Sequence, residues 1–293
     1  MIQRRHFSTA TALAVASPLA FVPSRAQAAS SLSAQLQQLE TAAQGRLGVF
    51  ILDTATGQGH GHRADERFMM LSSFKLLASA LVLARVDRGQ ESLDRRITFA
   101  KTDLVTYSPV TERFAGTAEG MSLAGLCEAT LTTSDNSAAN FILDSYGGPA
   151  ALTRFARELG DDTTRLDRRE TELNTGTAAA QLDTTTPRAM ALTLQKLLLG
   201  AALSPASRQQ LQRWLVANTT GDKRLRAGLP TGWRVGEKTG TNQTDANDIG
   251  MAWPANGRTP LIITAYLAES TATSAVKEAT LAGVARLAAS LVA

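Results

Sequence analysis

Four short polar motifs follow one another along this chain: Ser72-Ser73-Phe74-Lys75, Ser134-Asp135-Asn136, Glu170-Thr171-Glu172-Leu173-Asn174 and Lys238-Thr239-Gly240. Together they hold a nucleophile, two amines, a second hydroxyl and a carboxylate, the parts that acyl transfer to a serine requires. Ser-x-x-Lys places both side chains on one side of a helix. A lysine held beside a hydroxyl can take its proton when burial or nearby cations lower the amine pKa. At a helix start, Ser72 also has unpaired backbone N–H groups and the positive dipole end nearby, which suit a developing oxyanion. The pattern alone is weak, because roughly one Ser-x-x-Lys is expected by chance in a chain of ordinary composition. Indeed Ser274-Ala275-Val276-Lys277 matches it too. That copy has no partner motif and reads as the polar face of the last helix. Ser134 or Asp135 could equally be a helix N-cap, and Lys238 an exposed lysine before a turn.

The elements that would position these residues alternate in character. Leu32, Leu36 and Leu39 predict an amphipathic helix over 31–44. Residues 46–53 form an apolar strand, and 54–57 a turn before a second short strand. Ser72 opens a helix ending near Arg88 and Gly89. Helices over 122–131 and 134–145 follow, the second closed by Gly147 and Gly148. Thr186-Pro187 starts a helix that ends at Gly200, and Pro205 starts another to about Val216. Strands then occupy 233–238, 249–253 and 260–267, with a final helix over 273–291. Short turns favour antiparallel pairing. The fold class is therefore α/β: one antiparallel sheet built from both ends of the chain and flanked by helices, plus an all-helical lobe. The expected division is 29–64 with 218–293 for the α/β lobe and 65–217 for the helical lobe, with the site in the crevice between them.

The 293 residues suffice for a large core, and 44% apolar with 19% charged is ordinary globular composition. A net charge of +4 invites a nucleic-acid reading. However, Arg4, Arg5 and Arg25 lie in an acid-free segment, residues 1–28. Without that segment, 27 basic residues face 26 acidic ones, so nucleic acid is set aside. Residues 1–28 instead read as an export signal: Arg4-Arg5 followed by Phe7, a mildly apolar run over 9–22, and Ala26-Gln27-Ala28 as a cleavage pattern. The run is too short to span a bilayer stably. The expected location is periplasmic or secreted, and the expected state a soluble monomer. A single cysteine, Cys127, allows no internal disulfide, and its apolar helical surroundings predict a buried structural thiol. His60 and His62 lack a third ligand, so no metal and no cofactor is expected.

In their order and spacing the four motifs resemble the serine β-lactamases of class A. The resemblance extends through 64–68, 103–112, 165–170 and 247–249, essentially the whole chain after residue 28. It implies that Ser72 is acylated, that Lys75 assists proton traffic, and that Ser134 passes a proton to the β-lactam nitrogen. It implies that Glu170, with Asn174, activates the hydrolytic water. Asn136 would hold the substrate side-chain amide, and Lys238 and Thr239 would face the carboxylate. The backbone N–H groups of Ser72 and Thr241 would form the oxyanion hole, and Tyr107 would flank the entrance. Arg168 and Asp183 would pair across the neck of the Glu170 loop. Two departures stand out. Thr171 occupies a place where the family commonly has proline after a cis peptide. Residues 241–246 contain no arginine, and Arg224 matches an alternative source of a guanidinium. A D-Ala-D-Ala peptidase or a non-hydrolytic β-lactam sensor would share Ser72, Lys75, Ser134 and Lys238. The pair Glu170 and Asn174 is what implies hydrolysis.

Overall fold

In this computed structural model the described residues are 1–2 and 25–292. Most of the segment read as an export signal lies outside them. The elements, in chain order, begin with α1 (Arg25–Ala42), β1 (Arg46–Asp53), β2 (Gly59–His62), β3 (Phe68–Met69) and α2 (Phe74–Asp87). There follow β4 (Arg96–Ile97), β5 (Met121–Ser122), α3 (Leu123–Thr132), α4 (Asn136–Ser145) and α5 (Pro149–Glu158). Then come β6 (Thr184–Thr185), α6 (Pro187–Leu198), α7 (Pro205–Val216) and α8 (Leu225–Gly228), and finally β7 (Arg234–Thr241), β8 (Ala246–Trp253), β9 (Leu261–Ala268) and α9 (Ser274–Ser290).

The main sheet has the order β2-β1-β9-β8-β7 and is antiparallel throughout. Its two ends thus come from the two ends of the chain, and the fold class is the one that the motifs imply. Interior strands read as near-continuous apolar runs because both faces are covered. In β1, Leu47, Val49 and Ile51 join one core with Leu281 and Val284 of α9 and Leu36 of α1, while Phe50 and Leu52 face the other core. Helix α2 is buried from Phe74 to Ala84, and it is apolar almost all round as a central helix must be. Helices α3, α4, α5 and α7 pack around it.

Cys127 is fully buried in this lobe, and burial pushes its thiol up to about 12, which leaves it unreactive. His62 does not sit free on a strand edge: its Nε2 lies 2.9 Å from Oε2 of buried Glu40. Helix α1 begins at Arg25 rather than 31, and α5 was not expected from the sequence. Lys277 corrects the reading of the second Ser-x-x-Lys: it is 7% exposed, not part of a polar face.

The two halves meet where α2 approaches β7. A Cβ on Gly240 would lie 2.9 Å from the Met70 carbonyl oxygen, so glycine lets the strand reach the turn that carries Ser72. Four of the eight described non-glycine residues with positive φ cluster here or at the nearby loop neck: Leu71, Tyr107, Ser134 and Asp183. Such backbone costs about 1–3 kcal/mol per residue and gathers at functional sites.

Candidate active site

Ser72 lies in a short 3-10 turn, Leu71–Ser73, that runs directly into α2, and Lys75 follows in the first turn of that helix. The Lys75 side chain has no solvent exposure, so its ammonium must be matched by oxygens. It has four: Glu170 Oε1 at 2.9 Å, the Ser134 carbonyl at 2.9 Å, Ser134 Oγ at 3.3 Å and Asn136 Oδ1 at 2.5 Å. Burial lowers the amine pKa from its ordinary value, and the Glu170 carboxylate opposes that shift.

Glu170 is equally buried. Its Oε1 accepts from Ser72 Oγ at 3.2 Å, and its Oε2 from Asn174 Nδ2 at 2.6 Å. The sequence did not single out Asn140, yet this residue fixes the Glu170 backbone from both sides. Asn140 Nδ2 donates to the Glu170 carbonyl at 2.9 Å, and its Oδ1 accepts from the Glu170 N–H at 3.0 Å. The Glu170–Thr171 peptide is cis, with threonine where the family commonly has proline. Asn174 Oδ1 is buried without a partner beside the carboxylate.

The loop carrying Glu170 is closed at its neck. Arg168 Nε donates to Asp183 Oδ2 at 2.6 Å, while Asp183 Oδ1 accepts from the N–H groups of Asp167 and Arg168. The Met70 N–H bonds the Asp183 carbonyl at 2.8 Å, and β3 pairs with β6. The neck is thereby tied to the segment just before Ser72.

Ser134 links α3 to α4. The adjacent Asp135, not Ser134, caps α4, through Ala138 N–H. Its carboxylate also accepts from the N–H groups of Val110 and Thr111, which anchors the loop bearing Tyr107. Asn136 Nδ2 donates to the Thr106 carbonyl of that loop. Ser134 Oγ accepts from Lys238 Nζ at 3.1 Å as well as from Lys75, so one hydroxyl sits between two ammonium groups. With its acceptor side occupied, its proton is free to point into the cleft. Burial, reinforced by nearby Lys75, pushes the Lys238 amine well down.

Strand β7 pairs only with β8, so its other edge is open along the cleft. Thr239 Oγ1 lies 2.5 Å from Thr220 Oγ1, and Thr220 is held by Asn218 Oδ1 at 2.8 Å. Thr241 Oγ1 accepts from Arg224 Nη2 at 2.7 Å. Arg224 itself is buried behind the strand, donating also to the carbonyls of Gly240 and Asn247, and does not line the cleft. The cleft is a cavity of about 320 Å3 lined by Ser72, Tyr107, Ser134, Asn136, Asn174, Thr220, Thr239 and Thr241.

Behind the same strand lie Glu237 and Asp248. Burial and the neighbouring Asp248 carboxylate push the Glu237 pKa well up, although Arg226 Nε donates to its Oε1 at 3.0 Å. Burial also raises Asp248, against the pull of Arg224.

A nucleophile, two buried amines, a carboxylate on the nucleophile and an open strand edge define a serine acyl-transfer hydrolase. A sequence profile described as "Beta-lactamase enzyme family" matches residues 31–292. "Beta-lactamase L2" of Stenotrophomonas maltophilia is 46% identical, covering 98% of each chain. A Proteus vulgaris β-lactamase is 49% identical over 82% of this chain and 79% of its own. Among solved structures, "Ancestral (GNCA) Beta-lactamase class A" superposes with a TM-score of 0.86 at 59% identity, covering 89% of this chain and 99% of that one. A putative class A β-lactamase, PenP from Rhodopseudomonas palustris, gives 0.87 at 57%, with coverage of 89% and 99%.

The chain belongs to the β-lactamase enzyme family, as a class A serine β-lactamase. It opens the β-lactam ring through a serine acyl-enzyme that glutamate-activated water hydrolyses, the activity behind β-lactam resistance.

Proposed function

We propose that Ser72 is the nucleophile and that Glu170 serves it twice. In acylation, Ser72 Oγ attacks the lactam carbonyl carbon, and its proton passes into the carboxylate–amine pair of Glu170 and Lys75. The carbonyl oxygen becomes an anion facing the backbone N–H groups of Ser72 and Thr241. As the C–N bond breaks, the ring nitrogen takes the Ser134 proton, which Lys75 replaces. In deacylation, Glu170 takes a proton from water, whose oxygen attacks the ester carbon; the ester C–O bond breaks and Ser72 Oγ takes that proton back from Glu170. The observation that carries this reading is the Ser72–Glu170 contact of 3.2 Å, together with Asn174 on the other carboxylate oxygen. The unpartnered Asn174 Oδ1 supplies a second acceptor for that water.

The remaining roles are those that the family resemblance implies, and the positions of the residues support them. Asn136 holds the substrate's side-chain amide while Tyr107 flanks the entrance. Lys238 and Thr239 meet its carboxylate. Arg224 acts through Thr241, whose hydroxyl it orients toward the same group. Arg168 and Asp183 keep the Glu170 loop shut. The lobes 29–64 with 218–293 and 65–217 bring these groups together. The substrates are small β-lactams, taken by a monomer without a cofactor. Residues 1–28 act as a twin-arginine export signal to the periplasm. Replacing Arg4 and Arg5 by lysine should leave the protein in the cytoplasm, which fractionation would detect.

Glu170→Ala should lower turnover of a chromogenic cephalosporin by about 10²- to 10⁴-fold, the usual span for a lost general base. Acyl-enzyme on Ser72 should accumulate and be visible by mass spectrometry. Parent-like turnover in that variant would remove Glu170 from the mechanism.

A further inference from the structure

Lys277 is the buried residue of the second Ser-x-x-Lys. It lies in the first turns of α9, where the positive end of the helix dipole disfavours a cation. It is also 7% exposed, which a lone lysine avoids. Its Nζ leaves the helix to donate to the Gln243 carbonyl at 2.7 Å. Gln243 belongs to the hairpin that joins β7 to β8, just past Thr241. The next contact continues the line: Asn242 Nδ2 donates to the Asn174 carbonyl at 3.2 Å. Within the turn, Asn242 Oδ1 accepts from the N–H groups of Thr244 and Asp245, and Asp245 Oδ1 from the Glu269 N–H. The hairpin is therefore held on one side by α9 and on the other rests against the loop that carries Glu170. Asn174 and Thr241, which border this junction, both line the cleft.

We propose that Lys277 is a positioning residue that sets the width of the cleft between the β7–β8 hairpin and the Glu170 loop, and thereby selects β-lactams by the bulk of their acylamino side chain. The side chain of a bound substrate extends from Asn136 toward this junction; the carboxylate end lies at Lys238 and Thr239. This assignment rests on the substrate pose proposed above. The Lys277 amine touches no group assigned to bond making or breaking. Losing it frees the hairpin to move away from Asn174, so large side chains gain room while proton transfer at Ser72 and Glu170 is untouched.

The test uses the full chain with Lys277→Met and Lys277→Arg, each checked for a parent-like melting curve. Two measurements are made: hydrogen exchange at the 242–245 amides, and kcat and KM for benzylpenicillin and for a cephalosporin with a branched, bulky side chain. Lys277→Met should speed exchange in the hairpin at least about tenfold. It should also lower KM for the bulky cephalosporin about three- to tenfold, with kcat for benzylpenicillin within twofold of the parent. Lys277→Arg should restore the parent values. Unchanged hairpin exchange in Lys277→Met would overturn the latch itself. Faster exchange without a change in the ratio of the two substrates' KM values would overturn the selectivity role. Failure of the catalytic assignment would appear separately, in the Glu170→Ala acylation assay.

Discussion

On the cleft face of β7, Lys238 shares the hydroxyl of Ser134 with Lys75, and Lys75 in turn meets the Glu170 carboxylate. On the opposite side of the strand, where Glu237 points, two carboxyls stand with Arg224 and Arg226. Both groups are buried and both contain lysine or arginine with acid. They differ in how far their polar atoms are satisfied. On the cleft face Lys75, Lys238 and Glu170 all have partners, so their side chains are held in place. On the rear face the Glu237 and Asp248 carboxyls can bond each other only through a retained proton, and Arg224 Nε has no partner. There the burial cost is met by keeping Glu237 protonated, its pKa pushed up to about 9. One strand thus separates groups positioned for chemistry from a carboxyl neutralised for packing.

The largest effect should come from the cleft face. Lys238→Gln removes a charge-assisted contact worth about 1.5–3 kcal/mol. A fall of about 10- to 150-fold in kcat/KM for penicillins should follow, chiefly through KM, in steady-state assays. Arg224→Lys tests the boundary between the faces. Lysine cannot reach the carbonyls of Gly240 and Asn247 and the Thr241 hydroxyl with one planar fork. KM should rise about 5- to 30-fold, the equivalent of about 1–2 kcal/mol, with kcat little changed. A loss in kcat equal to that in KM would mean that Arg224 acts on the reacting atoms instead.

The smallest effect on turnover belongs to the rear face: Glu237→Gln should keep kcat/KM within about twofold, and its signature is in stability. A carboxyl whose folded pKa is raised contributes stability that is whole below the ordinary carboxylate range and is lost as pH rises toward about 9. The melting temperature of the parent should therefore decline between about pH 5 and pH 9, by about 2–4 °C for each kcal/mol lost. That decline should flatten in Glu237→Gln. A Glu237→Gln variant as impaired in turnover as Lys238→Gln would erase the distinction between the two faces.

Much of this arrangement was legible in residue order, for identifiable reasons. β1 occupies the residues that the apolar run 46–53 predicts, because a run covered on both faces has no competing helical period. Thr186 and Pro187 begin α6 as N-cap and first helical residue, since capping is a local matter. Helix α5 escaped although Gly148-Pro149 marks its start: its short amphipathic stretch follows a glycine pair that reads as a terminator. Two-residue strands such as β3 and β6 exist only because the loop neck brings them together. The same holds for Asn140 and Thr220. Each is an unremarkable polar residue until folding places it, one against Glu170 and the other against Thr239. Lys277 was misread because helical period assigns a face and not a partner.

The sheet order has a consequence in time. The hydroxyl of Thr264 in β9 reaches the carbonyl of Phe50 in β1 across 214 residues of chain. Loop closure over such a span comes late, and pairing of this kind makes folding slow. During synthesis the helical segments emerge well before β9, which must arrive before β1 and β8 have a common neighbour. Until then the sheet behind β7 is in two pieces, so a nascent chain holds every catalytic side chain before it holds the closed sheet that backs them.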